Sequence, residues 1–102
     1  STIPIPQKAF NYPNPFQAGK EITNIVFYMP SGGDADLTIY SLFGEKIMEI
    51  NATNLGAGSN QIMWDGTDDR NSILFSGTYN CIIRKKYEGK EAQDKCKILI
   101  IR

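Results

Sequence analysis

The sequence predicts an all-β protein, an antiparallel β-sandwich built as one domain. Three observations support this prediction. Glycine and proline interrupt the chain at short intervals, the segments between them alternate apolar with polar residues, and no window keeps the periodicity of a helix. A chain of 102 residues has room for one hydrophobic core and no second one.

The predicted strands are the segments in which every second side chain is apolar and so points into the core. In order along the chain they cover residues 25–29, 35–39, 47–50, 62–64, 79–83 and 96–100. Trp64 is the only tryptophan and shares the inward phase with Ile62, so we expect it to anchor the core. Short strands separated by turn residues at this spacing are typical of a sandwich of about seven strands.

The last two strands are predicted to form a hairpin around Glu88-Gly89, in which glycine supplies a positive φ angle. Pairing outward from this two-residue turn sets Cys81 directly opposite Cys96, with both side chains inward. The same count makes them a hydrogen-bonded pair, whose longer Cα separation suits a disulfide less well than the other pair type. The spacing therefore favours two packed free thiols and leaves the disulfide as the alternative.

Composition excludes several classes of function. Eleven basic and eleven acidic residues balance to a net charge of zero, so nothing draws the whole chain to nucleic acid. The chain contains no histidine, which removes the commonest general base and the commonest metal ligand. No apolar run is longer than five residues, and the run at residues 98–101, like that at 25–29, is far too short to span a bilayer. We expect no enzyme activity, no cofactor, no nucleic-acid partner and no membrane insertion.

The chain begins with Ser1 rather than methionine and shows no signal segment, so we expect a piece of a longer protein. Residues 1–9 include Pro4 and Pro6 and are predicted to be an extended linker, followed by one folded domain over residues 10–102.

One loop is a weak candidate for a metal site, because Asp65, Asp68 and Asp69 crowd together with Asn71. The alternate spacing of Asp65, Thr67, Asp69 and Asn71 superficially resembles the start of a calcium loop, but the glycine and the bidentate glutamate that such a loop needs are missing. The favoured alternative is a turn in which the aspartates bond to nearby backbone amides.

Two surface features are candidates for binding. Basic residues concentrate between Arg84 and Arg102, where Lys95, Lys97 and Arg102 mark a candidate docking edge and a solvated strand edge is the plainer interpretation. Tyr28, Tyr40 and Tyr87 are predicted to point outward, where rings on one face would stack on a carbohydrate. Outward tyrosines are also ordinary strand residues.

Three stretches of the sequence are distinctive together. The first is Tyr12-Pro13-Asn14-Pro15-Phe16 together with residues 25–30. The second is residues 37–44, which end at a glycine. The third is Trp64-Asp65-Gly66 together with Phe75-Ser76-Gly77-Thr78-Tyr79. Their order and spacing resemble the Ig-like domain named after the flagellar hook-capping protein FlgD, and they also resemble the C-terminal sorting domains of type IX secretion cargo. The resemblance covers nearly the whole chain and implies an immunoglobulin-like sandwich. It also implies that Arg102 is the natural C-terminus.

Each distinctive stretch also has a structural interpretation. Pro13 and Pro15 cannot donate hydrogen bonds, so their segment should lie at an edge or between sheets, with Tyr12 and Phe16 plugging one end of the sandwich. Asp65-Gly66 should form a turn, and Gly77 should begin the strand that carries Tyr79. Where the family commonly has a glycine, this chain has Asn71, which tolerates the left-handed conformation better than most residues.

The resemblance implies a non-catalytic C-terminal module of a larger secreted or surface bacterial protein. Its partners would be the type IX export and surface-attachment machinery and the upstream domains of its parent, with a sorting or anchoring role. One alternative is a structural spacer or an assembly module like a hook cap. Another is a carbohydrate-binding accessory module of a secreted enzyme.

Overall fold

The computed structural model describes residues 8–102. The predicted linker therefore lies outside the described residues except for Lys8 and Ala9. Within the described range the chain forms strands joined by turns, with no helix, and so contains no helix that could span a membrane. The prediction of an all-β sandwich is confirmed.

Eight strands follow one another along the chain. They are β1 (Phe10–Tyr12), β2 (Phe16–Gln17), β3 (Thr23–Met29), β4 (Gly33–Tyr40), β5 (Lys46–Leu55), β6 (Gly58–Trp64), β7 (Gly77–Tyr87) and β8 (Lys90–Ile101). The six predicted strands correspond to β3 through β8. The proline-containing stretch adds the two short strands β1 and β2, which have too few residues to show an alternation.

The strands form two sheets. The three-stranded sheet has the order β1-β3-β6, and the five-stranded sheet has the order β2-β8-β7-β4-β5. Neighbours pair antiparallel except β2 and β8, which run parallel. The chain therefore crosses between sheets several times, and β1 and β2 belong to different sheets although only three residues separate them.

Alternation places one apolar face of each sheet against the other. The fully buried side chains of the core come from both sheets and include Phe16, Ile25, Phe27, Met29, Leu37, Ile39, Cys81, Ile83 and Ile98. Trp64 retains 3% of its surface exposed, so its predicted place in the core is confirmed.

The β7–β8 hairpin has the predicted turn and register. Glu88 and Gly89 have φ angles of 49° and 70°, Tyr87 pairs with Lys90, and Cys81 lies directly opposite Cys96. Both cysteines are free thiols, Cys81 buried and Cys96 half-buried. The hydrogen bond between the two thiols, together with burial, raises the pKa of Cys81, and the same hydrogen bond lowers the pKa of Cys96.

One charge on the basic stretch of β7 is buried rather than solvated. Lys85 points into the sandwich, where Ala35 and Ala92 flank it on the neighbouring strands and leave room for its long side chain. Its Nζ lies 2.8 Å from Oδ2 of Asp94 and donates a 2.8 Å hydrogen bond to the Tyr28 carbonyl of the other sheet. This ion pair therefore ties β7, β8 and β3 together.

Candidate docking edge on the last strand

Strand β8 has a neighbour along its whole length on one side only. On its outer side, β2 pairs with it at just two positions, Phe16 with Ile100 and Gln17 with Ile101. The Ala18 N–H adds a 3.1 Å bond to the Ile101 carbonyl. The first part of β8 is consequently an edge of the five-stranded sheet.

Asn14 extends the β2 ladder by one position with its side chain. Its Nδ2 donates to the Lys97 carbonyl at 3.1 Å, and its Oδ1 accepts from the Leu99 N–H at 2.9 Å. A residue of a parallel strand uses its own backbone in this way, bonding to the residues before and after its partner. The side-chain amide of Asn14 therefore replaces a backbone peptide opposite Ile98.

The flanking prolines explain why a side chain does this. Pro13 and Pro15 have no N–H, so the backbone on either side of Asn14 cannot donate to a ladder. The expectation that this segment lies at a sheet edge is met. Phe16 is buried as predicted, but Tyr12 does not plug the sandwich: it lies on the outer face of the three-stranded sheet with 48% of its surface exposed. The strand alternation of β1 turns Asn11 inward, and so turns Tyr12 outward.

The outer edge of β8 before Lys97 carries free backbone groups. Odd-numbered residues of β8 turn their backbone outward, as the Leu99 N–H and Ile101 carbonyl do. By the same alternation Glu91, Gln93 and Lys95 present theirs at this edge, and no backbone bond from another described segment reaches them. Such a row of donors and acceptors is a template for pairing with a further strand.

A groove of about 950 Å³ begins at the Lys95 end of this edge and is lined by residues of β1, β4, β7 and β8 and of the turn after β4. Its charged lining groups are Lys8, Lys95 and Lys97, and no carboxylate is among the described lining residues. Two of the three candidate docking residues therefore meet in one positively charged groove, which we call the basic groove.

The third candidate, Arg102, is held elsewhere. Its guanidinium lies over the Phe75 ring, 4.9 Å from the centroid, and its backbone N–H donates to Ser76 Oγ at 2.8 Å. A cation above an aromatic face is attracted by the negative charge of the ring face. Arg102 therefore caps the start of β7 and is not among the groups that line the basic groove.

The remaining motif residues build the support beneath β2. The rings of Phe16 and Trp64 are 5.8 Å apart, and Trp64 Nε1 donates to the Thr67 carbonyl at 3.0 Å. Gly66 has a φ angle of +85°, and a Cβ there would lie 2.5 Å from Ala18 Cβ. The two distinctive stretches therefore pack on each other, and only glycine permits the contact.

The aspartate loop is a set of turns. Asp65 Oδ1 accepts from Thr67 Oγ1 at 2.7 Å, and Asp68 Oδ1 accepts from the N–H groups of Arg70 and Ser72 at 2.9 Å. These local bonds are the alternative that the sequence favoured. Over residues 8–102, Asp65, Asp68 and Asp69 join no cluster of three or more side chains able to hold a metal ion.

Two other motif positions behave as the sequence predicts. Asn71 adopts a φ angle of 66°, so it does occupy the left-handed conformation. Gly77 begins β7, and Tyr79 beside it donates a 2.8 Å hydrogen bond to the Phe75 carbonyl. This arrangement resembles the tyrosine corner of immunoglobulin-like sandwiches. Burial raises the pKa of Tyr79.

The predicted trio of outward tyrosines is corrected. Tyr28 lies on the outer face of the three-stranded sheet and Tyr40 on the outer face of the five-stranded sheet. Tyr87 shares the inward phase of Cys81 and Ile83 and packs against the core. The alternation of β7 has no bulge before Tyr87, so its ring stays in the inward phase and the three rings do not share a face.

Sequence reasoning missed the contacts of Asn14 and the buried pair of Lys85 with Asp94. An amide residue between two prolines is a usable signal for the first, since it is the only donor in its segment. For the second, the signal is that Lys85 falls on the inward phase of a strand whose other inward residues are apolar.

The comparisons with known proteins agree with this geometry. The model of the FlgD Ig-like domain family matches residues 14–89, which include the Asn14 cap, the Trp64 turn and the Tyr79 corner. No curated protein matches the chain.

Several solved structures share the fold. FlgD from P. aeruginosa matches with a TM-score of 0.67 and 24% identity over 78% of this chain and 63% of that one. FlgD from Xanthomonas campestris, whose structure was described for hook capping in flagellar assembly, matches with a TM-score of 0.68 and 16% identity. The match covers 91% of this chain and 69% of that one. Dimeric latent PorU from Porphyromonas gingivalis matches with a TM-score of 0.74 and 17% identity. The match covers 91% of this chain but only 9% of PorU. Because the family model covers most of the chain, this protein belongs to the FlgD Ig-like domain family.

Proposed function

We propose that this domain is a non-catalytic module of a larger exported bacterial protein, and that it sorts or anchors its parent at the cell surface through the type IX system. The observation that carries the proposal is the basic groove. Lys95 and Lys97 line it, and Lys95 also belongs to the free backbone edge of β8. An edge of this kind binds a partner by adding a strand, and the lysines favour an acidic one.

Two further observations support a docking role over a catalytic one. The chain has no histidine, and the Asp65 and Asp68 carboxylates accept hydrogen bonds from their own turn. The resemblance to type IX sorting domains supplies the expected partner, the export and surface-attachment machinery, and a secreted or surface location. The upstream domains of the parent protein are the covalent partners.

A structural role in a capping assembly is supported equally well. The solved structures that share the fold include two FlgD proteins, one of them described for hook capping in flagellar assembly. In that case the domain is a rigid assembly module, and the outer surfaces that contact its neighbours matter more than the basic groove.

A reporter fusion tests the sorting proposal. The whole chain is placed behind a periplasmic reporter in a host that has a type IX system. The reporter should reach the surface or the medium, and Lys95→Glu with Lys97→Glu should retain it in the periplasm. The matched control is Lys20→Glu with Lys90→Glu, which changes the net charge equally but lies outside the groove, and it should be exported. If the unmodified fusion stays in the periplasm, the sorting proposal is wrong.

The assembly alternative has its own measurement. The domain replaces the Ig-like domain of FlgD from Xanthomonas campestris, and swimming motility is scored. Restored motility together with a reporter that stays in the periplasm would favour the assembly role. Export of the reporter without motility would favour sorting.

A further inference from the structure

The outer faces of the two sheets differ in chemistry. On the five-stranded sheet the outward side chains include Asp36, Arg84, Lys86, Lys95 and Lys97. On the three-stranded sheet all the outward side chains of β1, β3 and β6 are uncharged. They are Phe10, Tyr12, Asn24, Val26, Tyr28, Ser59, Gln61 and Met63. We call these eight residues the neutral face.

The absence of charge holds across the whole neutral face. Lys8 precedes β1 and is the cation nearest to it along the chain, but it lines the basic groove with Lys95 and Lys97. A solvated sheet face normally carries charged residues, as the other sheet does. A face with aromatic rings and no charge is therefore suited to an uncharged ligand.

Tyr12 reaches across the middle of this face. Tyr12 belongs to β1, and β3 lies between β1 and β6 in the sheet. The Tyr12 hydroxyl donates to Gln61 Oε1 of β6 at 3.1 Å, so the side chain passes over β3. Tyr12 as a residue is 48% exposed, and the plane of its ring lies 27° from that of Phe10, with the centroids 6.1 Å apart. Two nearly parallel rings are thus presented on one surface.

The amides on the neutral face are held in place by each other. Gln61 Nε2 donates to Asn24 Oδ1 at 2.9 Å, and Asn24 Nδ2 donates to the Tyr12 carbonyl at 3.2 Å. Each of these amide nitrogens keeps a second N–H for a ligand. Fixed donors next to exposed rings lose little freedom when a ligand binds.

The size of the face argues against a protein partner. Three strands that each occupy a width of about 4.8 Å and are about five residues long cover only about 240 Å². A stable protein interface buries about 800 Å² on each partner. A few sugar rings fit the smaller area, since the apolar C–H face of a sugar stacks on an aromatic ring and its hydroxyls bond to amides.

We propose that the neutral face binds an uncharged polysaccharide, with Tyr12 as the central stacking residue. This inference goes beyond the docking role of the basic groove and does not depend on it, because Tyr12 and the two amides lie outside the groove and Phe10 is the one neutral-face residue that also lines it. The tyrosines that suggested carbohydrate from the sequence are largely different ones, since Tyr40 and Tyr87 lie elsewhere.

Affinity electrophoresis of the whole chain tests the proposal. Native gels contain hydroxyethylcellulose, galactomannan, β-1,3-glucan or dextran, and one further gel contains acidic polygalacturonate. At least one neutral polysaccharide should slow the protein twofold or more. Tyr12→Ala should abolish this retardation and Tyr12→Phe should keep most of it. The matched control is Tyr40→Ala, a tyrosine on the outer face of the other sheet, which should migrate like the unmodified chain.

Met63→Lys is a second variant for the case in which Tyr12→Ala fails to fold. Met63 is 66% exposed, so a lysine there is tolerated and adds a charge to the neutral face. It should weaken binding at least tenfold. Retardation by polygalacturonate alone, retardation by no gel, or equal binding by Met63→Lys and the unmodified chain overturns the proposal. It is also overturned if the unmodified chain sediments as a dimer that Met63→Lys converts to a monomer.

Discussion

The carboxamide oxygen of Asn14 accepts a 2.9 Å hydrogen bond from the backbone N–H of Leu99. These residues lie 85 positions apart. Together with the bond from Nδ2 to the Lys97 carbonyl, this contact lets one side chain act as a peptide unit of a parallel strand. It shortens the open edge of β8 at the point where Lys97 enters the basic groove.

Asn14→Ala should lower the free energy of unfolding by about 1–2 kcal/mol, because two exposed hydrogen bonds are lost at about 0.5–1.5 kcal/mol each. Urea denaturation measures this loss. Amide hydrogen exchange is the sharper readout, since Leu99 should exchange faster while the Ile98 amide, which faces β7, should not. Asn14→Asp should destabilise as well, since a carboxylate oxygen would face the Lys97 carbonyl. Unchanged exchange at Leu99 would contradict this role of Asn14.

Asp94→Ala should cost about 3 kcal/mol, because it leaves the buried Lys85 ammonium with only the Tyr28 carbonyl. Replacing both partners by apolar residues, as in Lys85→Met with Asp94→Leu, should return the stability to within about 1 kcal/mol of the original. A double-mutant cycle by urea denaturation gives the coupling energy. Additive single changes would show that the pair contributes nothing beyond its separate parts.

Gly66→Ala and Gly44→Ala form a matched pair, since their φ angles are +85° and +84°. A Cβ at Gly44 meets nothing within 4 Å, whereas one at Gly66 lies 2.5 Å from Ala18 Cβ. We expect a loss of about 1 kcal/mol for Gly44→Ala from the backbone conformation, and about 3 kcal/mol for Gly66→Ala with the added overlap. If urea denaturation gives equal losses of stability for the two variants, the contact between Gly66 and Ala18 adjusts to a Cβ without loss of stability.

Tyr79 should make the domain sensitive to alkaline pH. Burial raises its folded pKa above the ordinary value of 10.0, so the fold favours the protonated phenol. The stability that Tyr79 contributes to the folded state is therefore fully present below pH 10.0 and is lost as the pH rises through the folded pKa. Tyr79→Phe should cost about 1 kcal/mol at neutral pH, from the lost bond to the Phe75 carbonyl. The difference between the two proteins should shrink above pH 10.0, and a constant difference would contradict this account.

Cys96 should react with iodoacetamide before Cys81 in the native protein. Cys96 is half-buried and has a lowered pKa, while Cys81 is fully buried and has a raised one. The thiolate is the reactive form, so both differences act in the same direction. Peptide mass spectrometry after brief alkylation identifies the modified residue. Preferential labelling of Cys81 would contradict the direction of the hydrogen bond between the thiols.

The strands and their register were predictable because they depend on local signals. Alternation assigns residues such as Ile25 and Ile83 to the core face, and a two-residue turn at Glu88 fixes the partner of Cys81 without further information. Tyr87 shows the limit of this reasoning. Its inward phase was readable from the same count, since it lies an even number of residues from Cys81 and Ile83, yet it was predicted to point outward.

Hydrophobic alternation and turn residues are properties of short stretches, and they were enough to predict the all-β domain. The lack of histidine is a property of composition, and the absence of enzyme activity that it indicates stays a prediction. The pairing of Asn14 with β8, the burial of Lys85 beneath Tyr28, and the gathering of Lys8, Lys95 and Lys97 in one groove follow from how the chain crosses between two sheets. Such contacts join residues far apart in sequence, and no local pattern specifies which distant segments become neighbours. They exist only because stacking the sheets buries the core, and that packing decides which polar groups meet at the edges.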